Sequence, residues 1–135
     1  MFGTLDVSAS ALRAERVRMH TIANNLANLH TTRDESGEIN PYRRRTVRFQ
    51  VGLPGVRGSR QGVHVEQVVH DSSPFPKIYD PGHPEADEEG YRLTPNVHPV
   101  VEMVDMLETT RAYEANLTAM EATKGMITRA LGLLV

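Results

Sequence analysis

Apolar side chains recur every three or four residues near the start of the chain, and this spacing predicts a long amphipathic helix. The pattern begins at Leu5 and continues past Leu26, with Arg16 as its one charged interruption. A helix of roughly 26 residues would be about 39 Å long at 1.5 Å per residue. Its apolar stripe is narrow, as in a coiled coil, so the helix needs a partner along one side.

A second helix is predicted at the other end of the chain, from about residue 97 or 99 nearly to residue 135. Proline is tolerated only in the first helical turn, so Pro99 favours a helix start there. Asn96 or His98 could cap the first turn, and the nearby acids Glu102 and Asp105 would favour the positive end of the helix.

The segment between the helices carries strand patterns separated by proline and glycine. Alternation with a period of two predicts strands over residues 45–51 and 63–70, and a shorter strand is predicted over 75–79. The connection 53–62 is rich in turn residues. The chain is therefore predicted to be α+β, with a helical domain formed by residues 1–32 and 97–135 and a small β-rich middle segment at 33–96.

Two arrangements of the terminal helices fit this pattern. They could form an intramolecular antiparallel hairpin that closes over the middle segment, or a coiled coil that is completed only in an assembly of copies. Residues 1 to 69 carry a net charge of about +4 and residues 70 to 135 about −6, so the two halves attract each other without fixing a geometry.

Three asparagines interrupt the best part of the first helical pattern. Asn24, Asn25 and Asn28 each cost about 0.5 kcal/mol relative to alanine in a helix interior. Either the helix frays and is capped there, or the amides hydrogen-bond across a helix interface and fix its register.

Composition narrows the class of protein. The 135 residues are 39% apolar, as in an ordinary globular chain, and they include no cysteine, which excludes disulfides, thiolate metal sites and cysteine nucleophiles. No apolar run reaches the roughly 18 residues of a membrane-spanning helix, and the first residues lack the basic and apolar parts of a signal peptide. We therefore expect no membrane insertion and no cleaved signal peptide.

No motif indicates catalysis or a cofactor. Arg43, Arg44 and Arg45 form the only basic cluster, but a strand alternates its faces and the chain is slightly acidic, which disfavours nucleic-acid binding. The acidic segment from Asp80 to Glu89 lacks the ligand spacing of a metal site. The run 70–73 contains histidine, aspartate and serine, but sequence neighbours cannot form a catalytic triad. We therefore expect no enzyme activity, metal or cofactor.

Several motifs resemble a known protein family. The run Ala-Asn-Asn-Leu-Ala-Asn at 23–28 resembles the signature of the bacterial flagellar axial proteins of the rod and hook group. The runs 41–45 (Pro-Tyr-Arg-Arg-Arg), 79–84 (Tyr-Asp-Pro-Gly-His-Pro), 95–106 and 111–116 are similar to those of a proximal rod subunit. The similarity spans nearly the whole chain.

The resemblance implies a structural subunit of the helical drive shaft that transmits torque. It implies assembly with copies of itself and with other rod proteins in the periplasm, after passage through the flagellar type III export apparatus. The terminal helices would pack as an inner tube, with the middle segment facing outward. The competing interpretation is a stand-alone adapter made of a helical hairpin and a small β domain.

On the rod hypothesis the terminal helices become ordered on assembly, their apolar stripes form the subunit interface, and the three asparagines set its register. The expected interface residues are Leu5, Leu12, Met19, Ile22, Asn24, Asn25, Leu26, Asn28, Met103, Leu107, Tyr113, Leu117, Met120, Ile127, Leu131 and Leu134.

Overall fold

The computed structural model describes residues 2–52 and 62–133. Helix α1 covers Phe2–Ala27, strands β1 and β2 cover Arg45–Val51 and Val63–His70, strands β3 and β4 cover Lys77–Tyr79 and Tyr91–Leu93, and helix α2 covers Pro99–Gly132. Two long helices thus flank a small middle with short strands, and the predicted α+β class is confirmed. No described helix is long and apolar enough to cross a membrane.

Helix α2 begins at the predicted proline, but neither predicted cap acts through its side chain. His98 occupies the N-cap position in an extended conformation without a side-chain hydrogen bond, and Pro99 fills the first turn. The Asn96 side chain turns away from the helix start, and its Oδ1 accepts the Arg44 backbone N–H at 2.7 Å. His98 therefore holds the predicted cap position without a side-chain cap bond, whereas Asn96 does not cap because its side chain joins distant parts of the chain.

The strands form two separate antiparallel pairs. Strands β1 and β2 pair from Arg45 opposite His70 to Val51 opposite Val63, and a bulge shifts the register between Arg48 and Phe49. The predicted turn-rich connection between β1 and β2 falls largely on residues 53–61, which lie outside the described residues. Strands β3 and β4 form the second pair, with β3 shorter than predicted and β4 not predicted at all.

The two helices pack against each other, and β1 and β2 both contact α1. Because the end of α1 and the start of α2 meet through a hydrogen bond between Asn25 and Glu102, the helices run antiparallel away from that point. Apolar burial is sparse: in the described part of the chain the buried apolar residues are Ala14, Ile22 and Val97, whereas the buried polar residues are Ser10, Thr21, Asn25, Asn96, Glu102 and Thr109.

Candidate assembly interface

Asn25 lies at the centre of a polar cluster between the helices. Its side chain is 1% exposed. The Asn25 amide group donates to the Arg45 carbonyl at 2.8 Å and to Glu102 Oε2 at 3.0 Å. Its Oδ1 accepts the Arg45 backbone N–H at 3.0 Å and the Tyr42 hydroxyl at 3.1 Å. The Asn25 side chain therefore makes all the hydrogen bonds of which it is capable, and these join α1 to Tyr42, β1 and α2.

Glu102 in the first turn of α2 is fully buried, and a cation offsets its charge. The Arg44 Nε donates to Glu102 Oε1 at 2.5 Å, and a second nitrogen of the same guanidinium lies 3.2 Å from Asp105 Oδ2. A third nitrogen lies 3.9 Å from Asp71 Oδ2. A buried carboxylate is tolerated only when it is paired and hydrogen-bonded, and both oxygens of Glu102 have a partner.

Arg43 and Asn96 fasten the loop after β2 to the same region. One Arg43 nitrogen donates to the carbonyls of Asp71 and Ser73 at 3.0 and 3.1 Å, while its guanidinium lies 4.4 Å from the centre of the Phe75 ring. The Asn96 amide donates to the same two carbonyls at 3.3 and 3.2 Å. Together, Asn25, Tyr42, Arg44, Asn96 and Glu102 form what we call the polar junction.

The electrostatics of the surrounding groups follow from these contacts. Hydrogen bonds from Ser73, led by its hydroxyl, lower the pKa of Asp71 below its ordinary value, so Asp71 stays ionised beside Arg44. Burial raises the pKa of Tyr42, which keeps its hydroxyl protonated and able to donate to Asn25. The polar junction therefore holds distant segments of the chain together, because its polar atoms are hydrogen-bonded to other parts of the same chain.

The side of α2 that faces away from α1 is apolar, in contrast to the polar junction. Val100, Met103, Val104 and Leu107 are exposed by 71, 61, 51 and 52%. Their spacing of i, i+3, i+4 and i+7 places them along one side of the helix, away from the side on which Glu102 and Thr109 are buried. We call these four residues the base stripe, since they occupy the first turns of α2. In the described structure this apolar stripe faces outward from the helix pair.

The chain exposes more surface than a compact monomer of its size. A folded monomer of 15.0 kDa exposes about 7,000 Å². This chain exposes 9582 Å², so about 2,500 Å² remains that a compact fold would have buried. A standard protein–protein interface takes about 800 Å² from each partner. The described fold therefore leaves enough surface to contact more than one neighbour.

The structure divides the expected interface residues into two groups. Those buried or half-buried are Leu5, Leu12, Met19, Ile22, Asn25, Leu26, Asn28, Tyr113, Met120 and Ile127. Those exposed are Asn24, Met103, Leu107, Leu117 and Leu131, and Leu134 lies outside the described residues. The three asparagines differ as well: Asn25 is in the polar junction, Asn28 donates to the Asn24 carbonyl at the end of α1, and the Asn24 side chain is exposed.

The side of α2 that faces α1 is more polar than the apolar stripe found in the sequence. Its buried residues, Glu102 and Thr109, are followed by the half-buried Tyr113, Met120 and Ile127. Sequence reasoning placed Tyr113, Met120 and Ile127 in the interface. It missed the buried Glu102 because that residue was assigned to the helix dipole and its partner, Arg44, lies in a different segment. The available signal was the cost of Asn25 within a helix, which indicated a buried partner.

The remaining charged segments are also engaged within the chain. Arg33 pairs with Glu85 at 2.6 Å, and Arg92 lies 3.4 Å from Asp80. The Asp87 carboxylate accepts backbone N–H groups within its own turn. Over residues 2–52 and 62–133, histidines and acids form no group of three that could hold a metal ion.

Comparisons with known proteins agree on one family. Residues 5–33 match the model described as flagella basal body rod protein, and residues 88–133 match that of the flagellar basal body rod FlgEFG protein C-terminal region. The chain is 47% identical to the flagellar basal-body rod protein FlgC of Bacillus subtilis, over 96% of this chain and 95% of that protein. It is 39% identical to FlgC of Borreliella burgdorferi, over 99 and 97%, and 37% identical to FlgC of Salmonella typhimurium, over 98 and 97%.

Proposed function

Because the chain belongs to the FlgC family of flagellar basal-body rod proteins and is a structural rod subunit, we propose that it polymerises through the outward faces of its terminal helices. It is a structural protein and not an enzyme, and it assembles with other components of the rod in the flagellar basal body. Transmission of torque by the assembled helices is part of the same proposal.

The base stripe is the observation that carries this proposal. Four large apolar side chains lie on one exposed side of α2, and they occur in a chain whose described core buries only three apolar residues. Burial of apolar surface contributes about 25 cal/mol per Å², so contact with a neighbour would stabilise the subunit in the assembly. The polar junction meanwhile holds α1 and α2 together within one subunit.

The two groups of interface residues then have different tasks. The buried and half-buried members, such as Ile22 and Asn25, keep the helix pair in register, while the exposed members, such as Met103 and Leu107, contact neighbouring subunits. In this arrangement residues 1–32 and 97–135 form the inner part of the rod, and residues 33–96 face outward. In this proposal the rod lies in the periplasm, and the chain reaches it through the flagellar type III export apparatus.

A matched pair of variants tests the proposal in the bacterium that produces this chain. Met103→Gln combined with Leu107→Gln makes the base stripe polar without adding charge. Ile78→Gln makes the same kind of change at an exposed position of the middle segment. We expect normal export of both, but loss of motility and of rod incorporation only for the double variant. Normal rods containing the double variant would overturn the proposal.

Hydrogen exchange tests whether the helices become ordered on assembly. In the free chain we expect protection near the polar junction and faster exchange toward the opposite end of the helix pair, because stability differs along a structure with uneven packing. In isolated basal bodies both helices should be protected throughout. Full protection of both helices in the free chain would contradict ordering on assembly.

A further inference from the structure

The middle segment contains a small cavity whose wall is formed by residues of β3, β4 and two loops. Its volume is about 190 Å³, and no residue of the polar junction lines it. A water molecule takes about 30 Å³ in the liquid, so the cavity has room for about six water molecules. A single hexose ring displaces a similar volume.

Two polar atoms in the wall of this cavity are buried without a hydrogen-bond partner. The Glu85 side chain is only 7% exposed. Its Oε1 accepts the Arg33 Nε at 2.6 Å, whereas its Oε2 accepts no hydrogen bond. The Arg92 Nε lies 3.4 Å from Asp80 Oδ2 as an ion pair, but without hydrogen-bond geometry. One acceptor and one donor are therefore both unsatisfied at the same cavity.

The unpartnered oxygen of Glu85 belongs to an ionised carboxylate. Hydrogen bonding by Thr32 and Arg33 lowers the pKa of Glu85 below its ordinary value, yet no donor has hydrogen-bond geometry to Oε2. An unmade hydrogen bond at a buried group is costly, and nearly all such groups in folded proteins have a partner. In the part of the chain that the structure describes, just one other buried side-chain atom, Glu15 Oε2, is in this state. The coincidence of the other two at one cavity indicates that a molecule from outside the chain satisfies them.

The charges of the cavity wall restrict what this molecule can be. Glu85 and Asp87 contribute two carboxylates, and Lys77 and Arg92 contribute two cationic groups. The carboxylates oppose an anion and the cationic groups oppose a cation. The wall therefore favours a neutral molecule that carries hydrogen-bond donors and acceptors close together.

An aromatic ring forms another part of the wall. Tyr91 lines the cavity, and its ring meets the Tyr79 ring edge to face, with the ring centres 5.2 Å apart. This contact holds the Tyr91 ring in a fixed orientation. An aromatic side chain beside charged hydrogen-bonding groups suits a molecule with one apolar face and a polar edge.

We infer that this cavity binds one hexose ring of a saccharide. Each sugar hydroxyl can donate and accept hydrogen bonds, so neighbouring hydroxyls can donate to Glu85 Oε2 and accept from the Arg92 Nε. The C–H face of the ring would lie against Tyr91. This inference goes beyond the proposed function and does not depend on it.

Titration of the purified full chain, labelled with ¹⁵N and followed by NMR, tests the inference. The probes are D-glucose, D-galactose and N-acetyl-D-glucosamine. At least one of them should shift the backbone amides of residues 91–93 in a saturable manner, with a dissociation constant of about 1–10 mM, as expected for a ligand of about a dozen heavy atoms. Sodium acetate and glycine, an anion and a zwitterion, should give no saturable shift at these amides.

Three variants connect the binding to the cavity. Glu85→Gln replaces one acceptor oxygen with an amide group and should weaken binding by about tenfold or more. Glu88→Gln is the matched control, because Glu88 is an exposed acid of the same loop that does not line the cavity; its affinity should be unchanged. Tyr91→Leu keeps an apolar wall but removes the ring, and should weaken binding by about fivefold or more. It leaves the charged groups in place, so it tests the site even if Glu85→Gln does not fold.

Three results would overturn the inference. The first is the absence of a saturable shift with all three sugars up to about 50 mM, which means that the cavity holds water only. The second is tighter binding of acetate or glycine than of any sugar. The third is an equal loss of affinity in Glu85→Gln and Glu88→Gln. Each of these results leaves the proposed function intact, because that function is measured by incorporation into basal bodies.

Discussion

Replacement of Asn25 by leucine should destabilise the fold far more than the same change one residue earlier. Leucine has the same branching and the same number of side-chain heavy atoms as asparagine, but its methyl groups are bulkier and all four hydrogen bonds of the Asn25 side chain are lost. The backbone N–H and C=O of Arg45, the Tyr42 hydroxyl and Glu102 Oε2 each lose a partner. Arg44 still pairs with Glu102 through its other oxygen.

The magnitude follows from those unpaired groups. A buried polar group without a partner costs about 1–3 kcal/mol, and partial relaxation and water entry reduce the sum. We therefore expect a loss of about 3–6 kcal/mol, against a total stability of about 5–15 kcal/mol for a domain. Asn24→Leu is the matched control, because it makes the same substitution in the same helix at a position where the side chain is exposed.

Urea unfolding of the purified chains, followed by far-ultraviolet circular dichroism, measures the difference. Helix propensity favours leucine over asparagine by about 0.5 kcal/mol at both positions, so comparison of the two variants cancels that contribution. The Asn25→Leu variant should unfold at a much lower urea concentration than Asn24→Leu. If the two variants differ by less than about 0.5 kcal/mol, the polar junction does not hold the helices together.

Three further predictions concern charged groups. Arg44→Lys should lower the free energy of unfolding in urea by about 1–3 kcal/mol, because one ammonium cannot replace a guanidinium that contacts several carboxylates, including the buried Glu102; unchanged stability would contradict this. Glu15→Gln should raise the melting temperature at pH 7, where the half-buried carboxylate is charged, but not at pH 3, where it is protonated. Burial raises the pKa of Glu15, and its Oε2 has no hydrogen-bond partner. An equal gain at both pH values would exclude the carboxylate charge as the cause. The lowered pKa of Asp71 contributes stability that is present above its unfolded pKa of about 4 and is lost as pH falls through the folded value. Asp71→Asn should therefore flatten the decline in urea midpoint between pH 6 and 2. A decline as steep as that of the wild-type chain would count against this explanation.

The sequence predicted the long, regular elements well because their periodicity is local. Helix α1 and strand β2 have nearly the predicted bounds, since each depends on a repeat within its own residues. Strand β4, which spans only Tyr91–Leu93, was missed because three residues are too few for alternation to be recognised.

The polar junction was not predictable from local patterns. Its hydrogen bonds join residues 17 to 77 positions apart, and no periodicity relates Asn25 to Glu102. A buried glutamate opposite an asparagine contradicts the usual rule that charged residues lie outside. Such a residue is tolerated because Arg44 reaches it from the segment before β1, and only the folded chain brings these three segments together.

The antiparallel packing of α1 and α2 has a mechanical consequence. The free ends of the two helices lie on the same side of the pair, remote from the polar junction. A force that pulls these two ends apart would load the helix contacts one turn at a time, beginning at the ends, instead of loading all of them together. The hydrogen bonds of Asn25 and Glu102 would be the last to bear that load. The helix pair would therefore resist the sliding of one helix along the other, which loads all the contacts together, yet a weaker pull that separates the two ends would open it.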